Sequence, residues 1–250
     1  MTHYGMVIDL DRCTGCRACM IACKVENNTP QGSLWMYGFR LEEGEYPNTR
    51  VWFMPRPCMH CDNAPCVKVC PVGARYQQGD GLVVTDWERC IGCRYCEVAC
   101  PYGVNCFNWM EPSQNHYLDW SDVDVAEVTG GESPPYSNPD LDGRYGSEQR
   151  HVAGGGHHRG VMEKCTFCVH RVEKGMMPAC VATCPLKALV FGDLDDPDSK
   201  VSTLLARKSS FRLLEDLGTA PSVYYVGRAP ALESGRQIET VHRQTGLEEV

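Results

Sequence analysis

The sequence predicts an α+β fold in which short strands and short helices surround groups of cysteines. The chain has 250 residues, of which 17 are cysteines, a higher share than an ordinary globular enzyme contains. Two short β-prone runs, at residues 6–8 and 82–84, each lead through an acidic turn into a cysteine group. A long aperiodic stretch rich in Gly and Pro separates the third cysteine group from the fourth.

Sixteen of the cysteines form four motifs that all end in C-x3-C. Motifs I and III share the spacing C-x2-C-x2-C-x3-C, and motifs II and IV lengthen one gap. The members are Cys13, Cys16, Cys19 and Cys23 in motif I; Cys58, Cys61, Cys66 and Cys70 in motif II; Cys90, Cys93, Cys96 and Cys100 in motif III; and Cys165, Cys168, Cys180 and Cys184 in motif IV. Three thiolates on a tight loop can bind three irons of one cubane, while the fourth points elsewhere. The pattern therefore predicts four 4Fe-4S clusters and a role in electron transfer.

Turn residues and an internal repeat support this prediction. A Pro follows the last cysteine of motifs II, III and IV and redirects the chain, whereas Lys24 departs from the pattern in motif I. Residues 7–23 align without a gap with residues 84–100, which indicates duplication of one unit. Because much of the interior would be inorganic, we expect folding to depend on cluster assembly.

Other uses of clustered cysteines fit this pattern less well. Zinc sites pair two C-x2-C knuckles and do not need a third cysteine followed by C-x3-C. Disulfides are disfavoured because neighbouring cysteines crowd within one motif, and because residues 1–10 contain no export signal. A radical-generating enzyme would need an open iron, and the four sets of ligands are complete.

Charge and hydropathy narrow the choice of partners. The formal net charge of -8 argues against nucleic acid, because phosphate binding requires a surplus of Lys and Arg. No stretch approaches the roughly 18 apolar residues that a transmembrane helix needs. We therefore expect a peripheral protein that reaches a membrane only through a partner.

With four motifs in this order, the chain resembles the iron-sulfur subunits of the complex iron-sulfur molybdoenzyme family. That family includes polysulfide, thiosulfate, tetrathionate and dimethyl sulfoxide reductases. The resemblance covers about residues 5–192 and is carried by RPCMHCDNAPCVKVCPVGA, RCIGCRYCEVACPYGV and EKCTFCVHR. It is specific for the type of subunit and not for the substrate. The stretch at residues 51–74 is also similar to part of alternative complex III.

The resemblance implies that motif I works with motif IV and motif II with motif III. The implied ligands are Cys13, Cys16, Cys19 and Cys184 for set 1; Cys165, Cys168, Cys180 and Cys23 for set 2; Cys58, Cys61, Cys66 and Cys100 for set 3; and Cys90, Cys93, Cys96 and Cys70 for set 4. Two ferredoxin-like lobes would follow, one nested inside the other, within residues 1–110 and 161–195.

The resemblance also implies a role and partners. The chain would be a non-catalytic subunit that relays electrons between a large subunit with a molybdenum or tungsten bis-pterin cofactor and a polytopic, quinone-reactive membrane subunit. The alternatives are the iron-sulfur subunit of an alternative-complex-III-like quinone:cytochrome complex, with a multihaem cytochrome as a further partner, and an independent polyferredoxin. Because such subunits are often exported with a partner, we expect the periplasmic face of the membrane, with the cytoplasmic face as the alternative.

Residues 111–160 predict an irregular loop insertion, because they lack periodicity. We expect His151, His157 and His158 to be polar residues of this surface loop, with metal, haem or proton-transfer roles as the alternative. Cys106 belongs to no motif, and we expect a buried thiol that binds no cluster.

Residues 196–250 predict a C-terminal helix and a partner-binding tail. Asp198 is a candidate N-cap, and apolar residues at helical spacing predict one packing helix that ends at Gly218. Residues 223–226 predict a further strand. The polar residues 228–250 predict a tail that orders on a partner.

Basic and apolar residues flank the motifs. The basic residues are Arg12, Arg17, Arg89, Arg94, Lys164, Arg171 and Lys187. We expect solvated surface charge, with compensation of cluster charge or guidance of docking as the alternatives. The apolar residues Ile21, Val69, Ile91, Val98 and Val181 are expected to keep water from the clusters, which is one influence on reduction potential.

Overall fold

The computed structural model describes residues 2–27, 29, 32–109 and 157–228. The predicted loop insertion, apart from its last residues, lies outside this part of the chain, as do His151 and the tail beyond residue 228. The described residues form short strands and short helices, so the predicted α+β class is confirmed.

A four-stranded sheet joins the beginning and the end of the described chain. It contains β1 (Tyr4–Asp9), β8 (Leu189–Asp193), β9 (Ser210–Phe211) and β10 (Val223–Val226), in the spatial order β8-β1-β10-β9. Strand β1 pairs antiparallel with β8 and parallel with β10. Its central residues are completely buried. The strands predicted at residues 6–8 and 223–226 are therefore confirmed.

Three two-stranded antiparallel ribbons complete the β structure of the described residues. They are β2 (Tyr37–Glu43) with β3 (Arg50–Arg56), β4 (Arg75–Gln77) with β5 (Val83–Thr85), and β6 (Cys106–Phe107) with β7 (Met162–Glu163). Strand β5 lies one residue beyond the strand predicted at residues 82–84. The last ribbon joins the end of motif III to the start of motif IV.

The helices are mostly single turns. They are α1 (Ala18–Glu26), α2 (Pro65–Lys68), α3 (Tyr95–Val98), α4 (Val169–Val172), α5 (Ala179–Thr183) and α6 (Lys200–Arg207). All but α6 begin within a cysteine motif or next to it. Helices this short are not stable alone in water, so they depend on tertiary contacts made through their cysteine-bearing faces.

Cysteines of all four motifs lie in the main apolar core. This core also contains large side chains that are almost fully buried, among them Trp35, Met59, Phe167 and Tyr225. The sulfur atoms of these core cysteines are therefore surrounded by side chains that exclude water. An apolar environment of this kind influences the reduction potential of a group bound to the cysteines.

The C-terminal helix is shorter than predicted. It is capped by Ser199, whose Oγ accepts a hydrogen bond from the Ser202 N–H at 3.1 Å, so the prediction of Asp198 as N-cap is wrong by one residue. The chain leaves helical conformation at Lys208, with φ −123° and ψ 140°. Phe211 then pairs with Tyr225 in the sheet. The prediction of one continuous helix up to Gly218 is wrong, because residues 210 and 211 pair with β10 and only a short 3-10 helix, Glu215–Leu217, precedes Gly218.

Candidate iron-sulfur sites

Motifs I and III place their first three cysteines on loops with the same backbone conformation. Gly15 and Gly92 have φ values of +70° and +68°, and Arg17 and Arg94 have φ values of +60° and +62°. These left-handed positions favour glycine and turn the chain tightly before helices α1 and α3. The repeat seen in the sequence is therefore also a repeat of the backbone.

The cysteines of set 1 line one cavity. Cys13, Cys16, Cys19 and Cys184 share its wall with Phe53 and Pro185, among others. Burial raises the pKa of Cys19 to about 11, and the nearby Cys13, Cys16 and Cys184 contribute in the same direction. Cys16 is exposed, so this set reaches the protein surface.

The cysteines of set 2 are interior. Cys165, Cys168, Cys180 and Cys23 are each only 5 % exposed. Burial raises the pKa of Cys23 well above its ordinary value, followed by the effects of Cys165, Cys168 and Cys180. The side-chain amide of Asn27 donates towards the sulfurs of Cys23 and Cys168, at 3.6 and 3.7 Å.

The cysteines of set 3 line a second cavity. Cys58, Cys61, Cys66 and Cys100 form its wall together with Lys164 and other residues. Burial raises the pKa of Cys61 to about 12, and Cys58, Cys100 and Cys66 contribute in the same direction. Three of the four are buried, and Cys100 is partly buried.

The cysteines of set 4 gather around Cys96. Burial raises the pKa of Cys96, and Cys90, Cys70 and Cys93 also raise it, while the Arg75 guanidinium lowers it. Cys93 is exposed. Set 4 therefore reaches the surface in the same way as set 1.

Backbone N–H groups donate to sulfur in motifs II and IV. The pairs are His60 to Cys58 at 3.5 Å, Phe167 to Cys165 at 3.4 Å, Ala188 to Cys184 at 3.2 Å and Arg75 to Cys70 at 3.4 Å. Hydrogen bonds of this kind stabilise thiolate over thiol and influence the potential of a bound cluster.

Neighbouring sets interact across their boundaries. Cys19 of set 1 acts electrostatically on Cys23 of set 2. Cys58 of set 3 acts on Cys165 of set 2. The rings of His60 and Phe167 stack at 3.9 Å between centroids, next to these two cysteines, and both residues are almost fully buried. Sets 1, 2 and 3 thus follow one another, and Arg75, which contacts Cys96 of set 4 and acts on Cys66 of set 3, joins set 4 to the same series.

These surroundings fit 4Fe-4S clusters. Two of the sets ring a cavity with four thiols, the arrangement that a cluster of several irons requires. Among the residues that the structure describes, no three Cys, His, Asp or Glu side chains form a site for a single metal ion. The assignment of individual ligands to individual clusters stays a prediction.

His157 differs from its predicted surroundings. Its side chain is 7 % exposed, its Nδ1 lies 2.6 Å from Glu163 Oε1, and its Nε2 lies 2.8 Å from the Asn27 carbonyl oxygen. It also stacks on Trp87. The prediction of a polar residue on a surface loop is therefore wrong for His157, because Glu163 and Trp87 provide a buried site within the chain. His158 is exposed, as predicted.

Several apolar residues beside the motifs do not shield the cysteines. Ile21, Ile91 and Val98 are 61 %, 64 % and 86 % exposed, so that prediction is wrong for them. They lie on the outer faces of the loops and helices, while the cysteines occupy the inner faces. Val181 is buried, as expected.

Cys106 is buried in strand β6.

Sequence reasoning missed three side chains near the sulfurs. Arg75 and Asn27 lie outside the cysteine motifs and donate towards sulfurs through their side chains, and His60 lies inside motif II, where its buried ring stacks on Phe167. Arg75 and Asn27 carry no spacing signal, whereas the position of His60 between Cys58 and Cys61 could have drawn attention to it. Within the described part of the chain, no helix is long and apolar enough to cross a membrane.

Comparison with known proteins identifies the family to which the chain belongs. Models described as 4Fe-4S dicluster domains match residues 12–74 in one case, and residues 49–116 and 153–194 in the other. The chain is 42 % identical over 232 residues to the arsenate respiratory reductase iron-sulfur subunit of Shewanella sp. strain ANA-3, covering 90 % of this chain and 96 % of that protein.

Two further relatives have similar coverage. A selenate reductase subunit of Mesobacillus selenatarsenatis is 42 % identical over 224 residues, covering 90 % of this chain and 72 % of that protein. The menaquinone reductase iron-sulfur cluster-binding subunit of Nitratidesulfovibrio vulgaris is 37 % identical over 254 residues, covering 90 % and 89 %. With its motifs, its dicluster domains and these relatives, the chain belongs to the family of 4Fe-4S iron-sulfur subunits of the complex iron-sulfur molybdoenzymes.

Proposed function

We propose that this chain carries electrons through four 4Fe-4S clusters, held by sets 1 to 4, between a molybdopterin catalytic subunit and a quinone-reactive membrane subunit. The observation that supports this proposal best is the continuous series of thiol sets, which reaches the surface at Cys16 and at Cys93. A series with an exposed member at each end suits transfer between two partners. When bound, a 4Fe-4S cluster accepts and releases single electrons.

The residues of this chain would hold and insulate the clusters. Thiolates bind iron, N–H groups such as those of His60 and Phe167 stabilise the thiolates, and the apolar core excludes water. No substrate bond would be made or broken on this chain. Its location would be peripheral, at the periplasmic face of a membrane through co-export with a partner, with the cytoplasmic face as the alternative.

Anaerobic iron and sulfide analysis of the native protein tests the cluster content. Four clusters require about 16 irons and as many sulfides per chain, with reducible signals in electron paramagnetic resonance. A Cys106→Ser variant is the matched control and should retain the full iron content. Zinc in place of iron, or a much lower iron content in the native protein, would contradict the proposal.

Native purification tests the partners. We expect the chain to elute with a large molybdenum- or tungsten-containing protein and to lose stability without it. A stable, monodisperse monomer that is fully loaded with iron would support an independent polyferredoxin instead.

A further inference from the structure

Lys164 is a buried cation beside the cysteines of set 3. It is 2 % exposed, and its Nζ donates to the backbone carbonyl of Cys165 at 3.0 Å and to that of Val83. These partners are neutral, and within the described residues no carboxylate lies in ion-pair contact with it. Lys164 also lines the cavity of set 3.

Arg75 is a second buried cation, beside the cysteines of set 4. It is 2 % exposed, and its Nη2 lies 3.5 Å from the sulfur of Cys96 in set 4. Its Nε and Nη1 atoms are buried and have no hydrogen-bond partner among the described residues. Buried donors are normally hydrogen-bonded. These two N–H-bearing atoms therefore require acceptors that the described residues do not provide.

Both cations act on the same cysteine. Burial raises the pKa of Cys66, but Arg75 and Lys164 each lower it. Lys164 acts in the same direction on Cys165 of set 2. Lys164 therefore lies between sets 2 and 3, and Arg75 between sets 3 and 4.

Two unpaired buried charges are costly unless a negative group balances them. Four thiolates around an iron-sulfide cube carry net negative charge, and the sulfides accept hydrogen bonds. A cluster in set 3 would supply the counter-charge for Lys164, and a cluster in set 4 would supply the counter-charge and the acceptors that Arg75 lacks. No other anion in the described structure contacts either side chain.

The basic residues that precede motifs I and III differ from Lys164 in burial. Arg12 and Arg89 precede the first cysteines of motifs I and III, just as Lys164 precedes that of motif IV. Both arginines are exposed, whereas Lys164 is buried. Water screens the charges of the arginines, so their effect on a bound cluster is small.

We propose that Lys164 is the resident counter-cation of the cluster in set 3 and Arg75 that of the cluster in set 4, and that each raises the reduction potential of its cluster. This inference rests on the proposed cluster content. A nearby positive charge stabilises the reduced state, which carries one more electron, more than the oxidised state. Lys164 extends the effect to set 2, where it contacts Cys165, and Arg75 extends it to set 3. Set 1 has no such cation among the described residues.

Redox titration of the full complex, followed by electron paramagnetic resonance, tests this proposal. Lys164→Met and Arg75→Met keep the length and apolar bulk of the side chains. At unchanged iron content, we expect the midpoint potential of the set 3 cluster to become more negative in Lys164→Met and that of the set 4 cluster to become more negative in Arg75→Met. Arg89→Met is the matched control and should leave them unchanged. Full iron content with unshifted potentials in both variants would overturn the proposal.

A second pair of variants tests the case in which a methionine substitution prevents cluster assembly. If a methionine variant loses iron, Lys164→Arg and Arg75→Lys should retain it, because they keep the positive charge. Equal loss of iron from the methionine and the charge-conserving variants would show that shape rather than charge matters, and would overturn the proposal. Iron deficiency of the unmodified complex would instead contradict the proposed function.

Discussion

The two copies of the internal repeat share a loop and differ in their surroundings. Residues 7–23 and 84–100 turn through the same left-handed positions. The first copy then continues into the nine-residue helix α1, whereas the second stops after the four residues of α3. The comparison teaches that local sequence sets the cysteine loop, while distant segments set its burial and charge.

The distant segments are different for each copy. The end of the first copy is tied to His157 through the Asn27 carbonyl. The second copy lies against the carbonyl of Gly160 and receives the guanidinium of Arg75 at Cys96. The same loop thus gains a buried cation from another segment of the chain in the second copy.

The largest expected effect comes from removing the last cysteine of each copy. Cys23→Ala and Cys100→Ala each take one thiolate from a cluster of the other motif in the pair, so we expect each variant to lose about four irons. Iron analysis and electron paramagnetic resonance measure the loss. A variant that keeps the iron content of the Cys106→Ala control would show that the two copies do not exchange their fourth ligands.

A smaller effect is expected where the first copy contacts a buried ion pair. His157→Phe leaves the Glu163 carboxylate, whose side chain is fully buried, without its partner, and loss of one member of a buried pair costs about 3–5 kcal/mol. Thermal unfolding of the anaerobic protein measures it. The double variant His157→Phe/Glu163→Leu should recover part of the loss, and no recovery would contradict the pairing.

This effect should depend on pH. Burial lowers the pKa of His157, but Glu163 outweighs it, so the folded-state pKa lies above the ordinary value of 6.5. The stabilisation from protonated His157 is therefore complete below pH 6.5 and is lost as the pH rises through the raised value. The difference in stability between the native protein and His157→Phe should shrink over that range.

The smallest effect distinguishes the glycines of the two loops. Both Gly15→Ala and Gly92→Ala place a side chain at positive φ, which costs about 1–2 kcal/mol. The new Cβ would meet the ring of Phe53 at Gly15 but the backbone carbonyl of Gly160 at Gly92. Because a ring can move more easily than a backbone, we expect a larger drop in unfolding temperature for Gly92→Ala. Equal drops would indicate that the two loops tolerate crowding equally.

Much of the fold and of the candidate sites follows from short-range sequence. Cysteine spacing identified the loops, and β-prone runs identified strands β1, β5 and β10, because these depend on neighbouring residues. The helix predicted up to Gly218 was wrong beyond Arg207 because Phe211 pairs with a distant strand. The exposure of Ile21 and Val98 could not be predicted, since it depends on which side of the loop faces the interior.

By itself, the sequence determined that sixteen cysteines form four ligand motifs and that two of these motifs are copies. Spacing along the chain limits which thiols can share a loop, so this information is local. Only the tertiary structure decided that Lys164 is buried while Arg12 and Arg89 are exposed, and that Arg75 contacts Cys96. Burial and charge at a sulfur depend on segments far apart in sequence, and packing alone brings those together.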